Sequence, residues 1–393
     1  MRVKNKVGRG LTMALLATAP LAQAGKKLEI DETKWISIGV GVRGSFASIE
    51  DAAPSGDDWD NDFNLDNARV YLNGQITENI TFELNTECTF CGSDLEDYDI
   101  LDAIAKFAIV PEFNVWAGRL LVPADRAEMS GPFYANVYDF NKTPFYPADY
   151  STSFSNGAGV YGRDQGVTFW GGLGNEKRFT YAVGIFNGYQ GDANQEDDLL
   201  YAARLSYNFL NVEQNPGYYT SSTYYGTAGD IFTIAIAAQY QSDGAGTEAD
   251  PADFTGFSTD LLYETVLGGG GVITLEGEYK NFDTDLSNAA LASDDCFCLF
   301  SGEAGMVTAL YLFATEVGIG KFQPYVRYTK NDPDHSSDRD EYEAGVNYVI
   351  DGHNARVSAF YQYGDILTKG LNYTPSASGD DISAIKIGVQ LQL

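Results

Sequence analysis

The sequence predicts an all-β fold: a transmembrane antiparallel β-barrel of about 16 strands, with a long third loop folded into the lumen. Three observations predict it. From Trp35 to the last residue, short segments alternate apolar with polar or small side chains. Turn-rich connectors separate them, long ones alternating with short ones. A basic and then apolar leader precedes the whole array. Successive side chains of a strand point to opposite faces, and about 9–11 residues cross a bilayer as a tilted strand. An even number of strands closes a barrel with both termini on one side.

The leader points to a compartment. Arg2, Lys4, Lys6 and Arg9 form a basic start, Leu11 to Leu21 a short apolar core, and Ala22-Gln23-Ala24 a small-residue cleavage site. The expected division is a signal peptide over 1–24 and one outer-membrane barrel domain over 25–393; an N-terminal amphipathic or buried helix is the alternative for the leader. Nothing after it supplies the ~18 consecutive apolar residues of a membrane-spanning helix, so a helical inner-membrane transporter is excluded. The mean hydropathy of -0.22 is no argument against a membrane, because half of each barrel strand is polar. The 26 Tyr and 23 Phe suit aromatic girdles at two interfaces. A Gram-negative bacterial outer membrane is the expected location.

The strand candidates run in order. Trp35 to Phe46 ends in the acidic loop Glu50 to Asp62, and Phe63 to Ile76 turns through Thr77-Glu78-Asn79 into Ile80 to Glu87. Ile100 to Val110 and Phe113 to Val122 meet at Pro111-Glu112. After the long loop Pro123 to Arg163 come Gly166 to Leu173, Phe179 to Phe186 and Asp198 to Phe209. Ile231 to Gln241, Phe254 to Leu267, Gly271 to Phe282 and Gly305 to Val317 follow. Lys321 to Lys330, Glu341 to Ile350, Ala355 to Tyr363 and Ile382 to Leu393 complete the set. The last is the cleanest. Ile385, Ile387, Val389, Leu391 and Leu393 share one face; Ala384, Lys386, Gly388, Gln390 and Gln392 share the other. Long connectors are expected outside the cell and short turns in the periplasm. Asn211 to Gly229 breaks that rule, being long and tyrosine-rich where a short turn is due; it is either an ornament below the barrel or a miscount.

Alternation also assigns the lumen. Arg43, Arg69, Lys106, Arg204, Lys280, Arg327, Arg356 and Lys386 face inward, with Glu83, Glu87, Asp102, Asp260, Glu264, Glu276, Glu278, Glu341 and Glu343. Charges facing lipid are costly, which gives that assignment its warrant. Sixteen strands leave an aqueous channel, and rings of charge in a channel select ions. The competing reading is that these groups pair off and brace the wall. The loop Pro123 to Arg163 is the constriction candidate, since a long connector without strands is normally functional. It carries Asp125, Arg126, Glu128, Asp139, Lys142 and Asp149 among Phe and Tyr residues that would pack on the inner wall; an outward flap is the alternative. Arg43, Arg69, Lys106 and Arg204 are expected to form a basic wall facing Asp125 and Glu128.

Phe63-Asn64-Leu65-Asp66-Asn67-Ala68-Arg69-Val70-Tyr71-Leu72-Asn73-Gly74 resembles the second-strand motif of the phosphate-selective porin O/P family. Gly162-Arg163-Asp164-Gln165-Gly166-Val167-Thr168-Phe169 and Phe179-Thr180-Tyr181-Ala182-Val183-Gly184-Ile185-Phe186-Asn187-Gly188 are similar to it in the same order. The resemblance covers about half the chain. It implies a sixteen-stranded trimeric porin with an inward third loop. Two features depart from the family. Its anion-selective members use an arginine ladder and a lysine cluster, whereas this chain is acidic, and its last residue is Leu393 rather than Phe.

The formal charge is -30; removal of the leader takes away four positive charges and no acids, leaving about -34. Nucleic acid is therefore not an expected partner, since phosphates need Lys and Arg. Outer-membrane lipid and lipopolysaccharide, small ions and hydrophilic solutes, and two further copies in a homotrimer are. Mild cation preference is expected, with anion or phosphate selectivity and a non-conducting structural or adhesive barrel as alternatives.

Cys88 and Cys91, and Cys296 and Cys298, fall in outer connectors of an oxidising compartment, where disulfides are the first reading and a four-thiolate metal site the second. No cofactor is expected. The acidic runs Asp57 to Asp62, Glu196 to Asp198 and Asp332 to Glu343 are read as solvated loops, with loop-bound Ca2+ or Mg2+ as the alternative. His335 and His353 lie in connectors on opposite sides, so they assemble no Ser-His-Asp triad; no enzyme is expected, with an outer-membrane esterase or protease as the rival reading.

Overall fold

The computed structural model describes residues 26–89, 91, 97–144, 146, 162–174, 176–293, 296–298, 300–335, 337–366 and 381–393. The leader over 1–24 and Asp149 lie outside them. A short first strand, β1 (Lys26–Glu29), is followed by β2 (Trp35–Ile49), β3 (Asp60–Thr77), β4 (Ile80–Thr89), β5 (Asp97–Val110) and β6 (Phe113–Leu121). After a helix, α1 (Arg126–Tyr134), come β7 (Arg163–Leu173), β8 (Phe179–Phe186) and β9 (Leu200–Asn208). Then follow β10 (Ile231–Thr247), β11 (Asp250–Val266), β12 (Val272–Asp283), α2 (Asn288–Leu291), β13 (Gly302–Leu312), β14 (Lys321–Pro333), β15 (Arg339–Asp351), β16 (Ala355–Gly364) and β17 (Ile382–Gln392).

Strands β2 to β17 pair antiparallel with their chain neighbours, and β17 returns to β2 with Gln392 opposite Gly41 and Ala384 opposite Ile49. The result is a closed 16-strand barrel. Closure gives each of β2 to β17 a neighbour on both sides. Every expected strand is present. β1 was not expected: Lys26-Lys27-Leu28-Glu29 has no alternation and is strand because it pairs with Trp35 to Ile38 of β2. The largest shift of boundaries is in β10 and β11, whose ladder runs past Gln241 to a tight turn after Thr247.

The period-2 pattern sorts the two faces as read. On β17, Ile385, Ile387, Val389 and Leu391 are exposed on the outer surface, while Ala384 and Gln390 are wholly buried inside. All the charged residues assigned to the lumen point inward; most are buried, and Glu83, Lys106 and Lys386 half-buried. Among the described residues no helix is long and apolar enough to cross a membrane, which says nothing of crossing by strands.

Candidate pore constriction

The connector after β6 lies inside the lumen, and its helix begins at a capping residue. Asp125 has extended backbone, and its carboxylate accepts from the Glu128 amide at 3.0 Å, which starts α1. Gly131, at φ +60°, then breaks the helix ahead of Pro132. Residues that an exposed helix would leave in water are buried here, including Arg126, Glu128 and Phe133. The wall is shaped to take them. A side chain at Gly41 would meet the Phe133 ring at 2.9 Å, and one at Gly388 the Tyr138 ring at 2.4 Å. Tyr146 packs on Phe282 with ring centroids 4.6 Å apart. Full burial of each such ring is worth about 1.5–3 kcal/mol.

An irregular segment inside a barrel must find partners for its carbonyls. Five wall cations supply them. Arg204 donates to Ala124 O at 2.9 Å, Arg356 to Ala135 O at 2.8 Å and Lys280 to Pro144 O at 2.8 Å. Arg43 donates to Tyr138 O and Arg327 to Asp139 O. Five of the basic residues read as pore lining thus form a cradle for the loop backbone. Hydrogen bonds from charged donors are the strong ones, so the cradle fixes the loop firmly.

Arg204 and Arg327, together with further cations of the wall and the loop, are also matched by carboxylates. Arg69 pairs with Glu87 and Lys106 with Glu83. Arg204 Nη2 lies 2.9 Å from Asp260, Arg163 3.1 Å from Asp102 and Arg327 2.6 Å from Glu343. Asp139 of the loop meets Lys386 at 2.7 Å, and Lys142 meets Glu341 at 3.0 Å. The expected basic wall opposite Asp125 and Glu128 is not how these groups sit. Asp125 pairs with Lys280 at 2.7 Å, and Glu128 lies 3.9 Å from the same ammonium. Both carboxylates face β12, whereas Arg43, Arg69 and Lys106 belong to β2, β3 and β5 and are satisfied there or by the loop backbone.

The connector between β9 and β10 is the larger departure. The strand count around it is right, and the segment is no ornament below the barrel: it rises into the lumen and joins the third loop. Arg126 grips Glu213 through Nη1 and Nη2, both at 2.7 Å, and donates to Ser221 O at 2.7 Å and to Asp260 at 3.2 Å. Ser130 Oγ meets Thr220 Oγ1 and Ser222 Oγ, each at 3.1 Å, and the Ser222 amide donates to Tyr134 O at 3.1 Å. Thr223 Oγ1 and the Tyr224 and Gly226 amides donate to Glu264 at 2.7, 3.0 and 2.8 Å. Trp116 anchors the segment to the wall, packing against Tyr218 and Tyr219 with Lys106 4.0 Å above its ring. Sequence reasoning missed Glu213 and Thr220 to Tyr224. The signal on offer was a run of Ser, Thr and Tyr in an otherwise short-turn position.

The structure joins Cys88 to Cys91 and Cys296 to Cys298. Phe297, between the second pair, bridges to Gly246 at the tip of β10. Among the described residues no cluster of three or more His, Cys, Asp and Glu is placed to hold a metal ion. His335 lies in the β14–β15 connector and His353 in the β15–β16 turn, where its Nε2 lies 2.9 Å from Thr223 O.

Comparison with known proteins separates fold from family. No family model matches the chain, and no curated protein does. Solved structures match over nearly its whole length. An anion-selective porin from Comamonas acidovorans aligns with a TM-score of 0.59 at 12% identity, over 92% of this chain and 100% of that one. Salmonella typhi OmpF, in complex with daunomycin, gives 0.55 at 13%, over 94% and 100%. OmpT of Vibrio cholerae, folded in vitro and in a trimer form, gives 0.50 at 13%, over 92% and 100%. The fold is that of the outer-membrane porins. Identities this low carry the architecture and nothing finer.

Proposed function

We propose that the chain is an outer-membrane porin: a channel through which small ions and hydrophilic solutes diffuse passively. The observation that carries this reading is the lumen itself. Inside an apolar outer belt, the wall presents Arg, Lys, Asp and Glu from strands all around the barrel, and a buried interior of both signs is stable only with partners or water. The resemblance of three segments to the phosphate-selective porin O/P family and the porin architecture of the structural neighbours support it. The trimer form of OmpT supports a homotrimer. No catalytic role is assigned to either histidine.

Mild cation preference is the selectivity we favour. The wall cations are taken up by loop carbonyls and carboxylates, so they offer no continuous basic path to an anion. The excess of acid lies in the outer connectors, where it concentrates counter-ions at the mouth. A second reading, a non-conducting barrel, is favoured by one observation: the third loop and the β9–β10 connector meet inside the lumen. Liposome swelling separates the two. Vesicles holding the folded protein swell in small uncharged sugars if it is a pore and stay intact if it is a structural barrel.

A further inference from the structure

Among the described residues, two of the cavities along the inner wall border both the third loop and the connector. The first, about 170 Å3, is bounded by Arg69, Glu83, Asp102, Lys106 and Arg163. The second, about 520 Å3, opens at the short-turn end beside Tyr224, Tyr225, Glu316, Lys321 and His353. Tyr134, Pro216 and Ser221 belong to the walls of both. These three residues are therefore the septum between them.

We infer that Tyr134, Pro216 and Ser221 are the size-determining residues of the pore, so that the β9–β10 connector, and not the third loop alone, sets the largest solute that passes. The inference rests on the pore reading above. Tyr134 ends α1 and reaches the septum from the third loop, while Pro216 and Ser221 reach it from the connector. The two halves are locked by the Ser222 amide on Tyr134 O and by Arg126 on Ser221 O. The septum selects by size rather than by sign. Its own three side chains are uncharged, and the first cavity presents cations already matched: Arg69 to Glu87, Lys106 to Glu83 and Arg163 to Asp102. Its solutes are therefore limited by width: small ions and narrow hydrophilic molecules.

Two variants in planar bilayers test this, each checked for folding by heat-modifiable migration on gels. Y134A/P216G joins the cavities and is expected to raise single-channel conductance at least about twofold and to admit larger polyethylene glycols, because the narrowest section limits flow. S221W fills the septum and is expected to lower both. If wild type conducts and both folded variants match it in conductance and size limit, the septum is elsewhere and the inference is overturned while the pore reading stands. If all three folded proteins are silent, the pore reading falls and this inference falls with it.

Discussion

Replacing Arg126 by Met should unlatch the interior without unfolding the barrel. In the native protein this guanidinium holds Glu213, Asp260 and Ser221 O together. The loss is unequal. Asp260 keeps Arg204 at 2.9 Å, whereas Glu213 is left with the Tyr224 hydroxyl at 2.7 Å and the Asn215 amide at 3.4 Å. Burial alone would raise the Glu213 carboxyl; Arg126 overrides it and holds the group at about 2, against 4.5 ordinarily. That difference corresponds to about 3 kcal/mol, fully present above pH 4.5 and lost as pH falls towards 2. The barrel keeps its ladders, so the cost falls on the clasp, whose opening should become about a hundredfold more frequent at pH 7. Hydrogen exchange in detergent reads this directly. Amides of 126–136 and 219–226 should lose protection while those of β12 to β17 keep theirs. Unchanged protection in both segments would refute the assignment of Arg126 as the latch.

Other consequences can be checked with the same material. Burial, and then the charge of Arg356, push the His353 imidazole down to about 4 from 6.5, so the folded protein binds fewer protons there than the unfolded one. Its contribution is intact above pH 6.5 and declines down to about pH 4, by at most about 3 kcal/mol, and exchange at 223–225 and 352–354 should rise over that window; a flat profile would contradict it. Thiol titration of unfolded, unreduced protein should find no free thiol, and a chelator should leave its thermal stability unchanged. Neutralising Asp125 and Glu128 together, as Asn and Gln, should move the reversal potential towards anions, because Lys280 then loses its loop carboxylates; an unmoved potential would place the selective charges outside the lumen.

How much was legible follows from period and distance. A strand writes its facing every second residue, so Ile385 to Leu393 declares an outer face without knowledge of its neighbours. The inward turn of the third loop was legible through its length; its helix was not read, although Asp125 and Glu128 stand at capping spacing. The pairing of charges was not. Arg126 meets Asp260 across 134 residues of chain and Lys386 meets Asp139 across 247, and no local pattern encodes such closure. The β9–β10 connector was opaque for a related reason. Its Ser, Thr and Tyr residues carry no period, and they are ordered by partners on α1 and by Glu264 of β11.

The central claim is a polar conducting lumen beneath an acidic mouth, and reversal potentials of the wild-type protein in planar bilayers test it most directly. At 0.1 M salt the Debye length is about 10 Å, so exposed carboxylates act most strongly in dilute salt. The account predicts stepwise, long-lived conductance with mild cation preference that fades as salt rises. A folded barrel that stays electrically silent, or one that prefers chloride or phosphate severalfold at low salt, would contradict it.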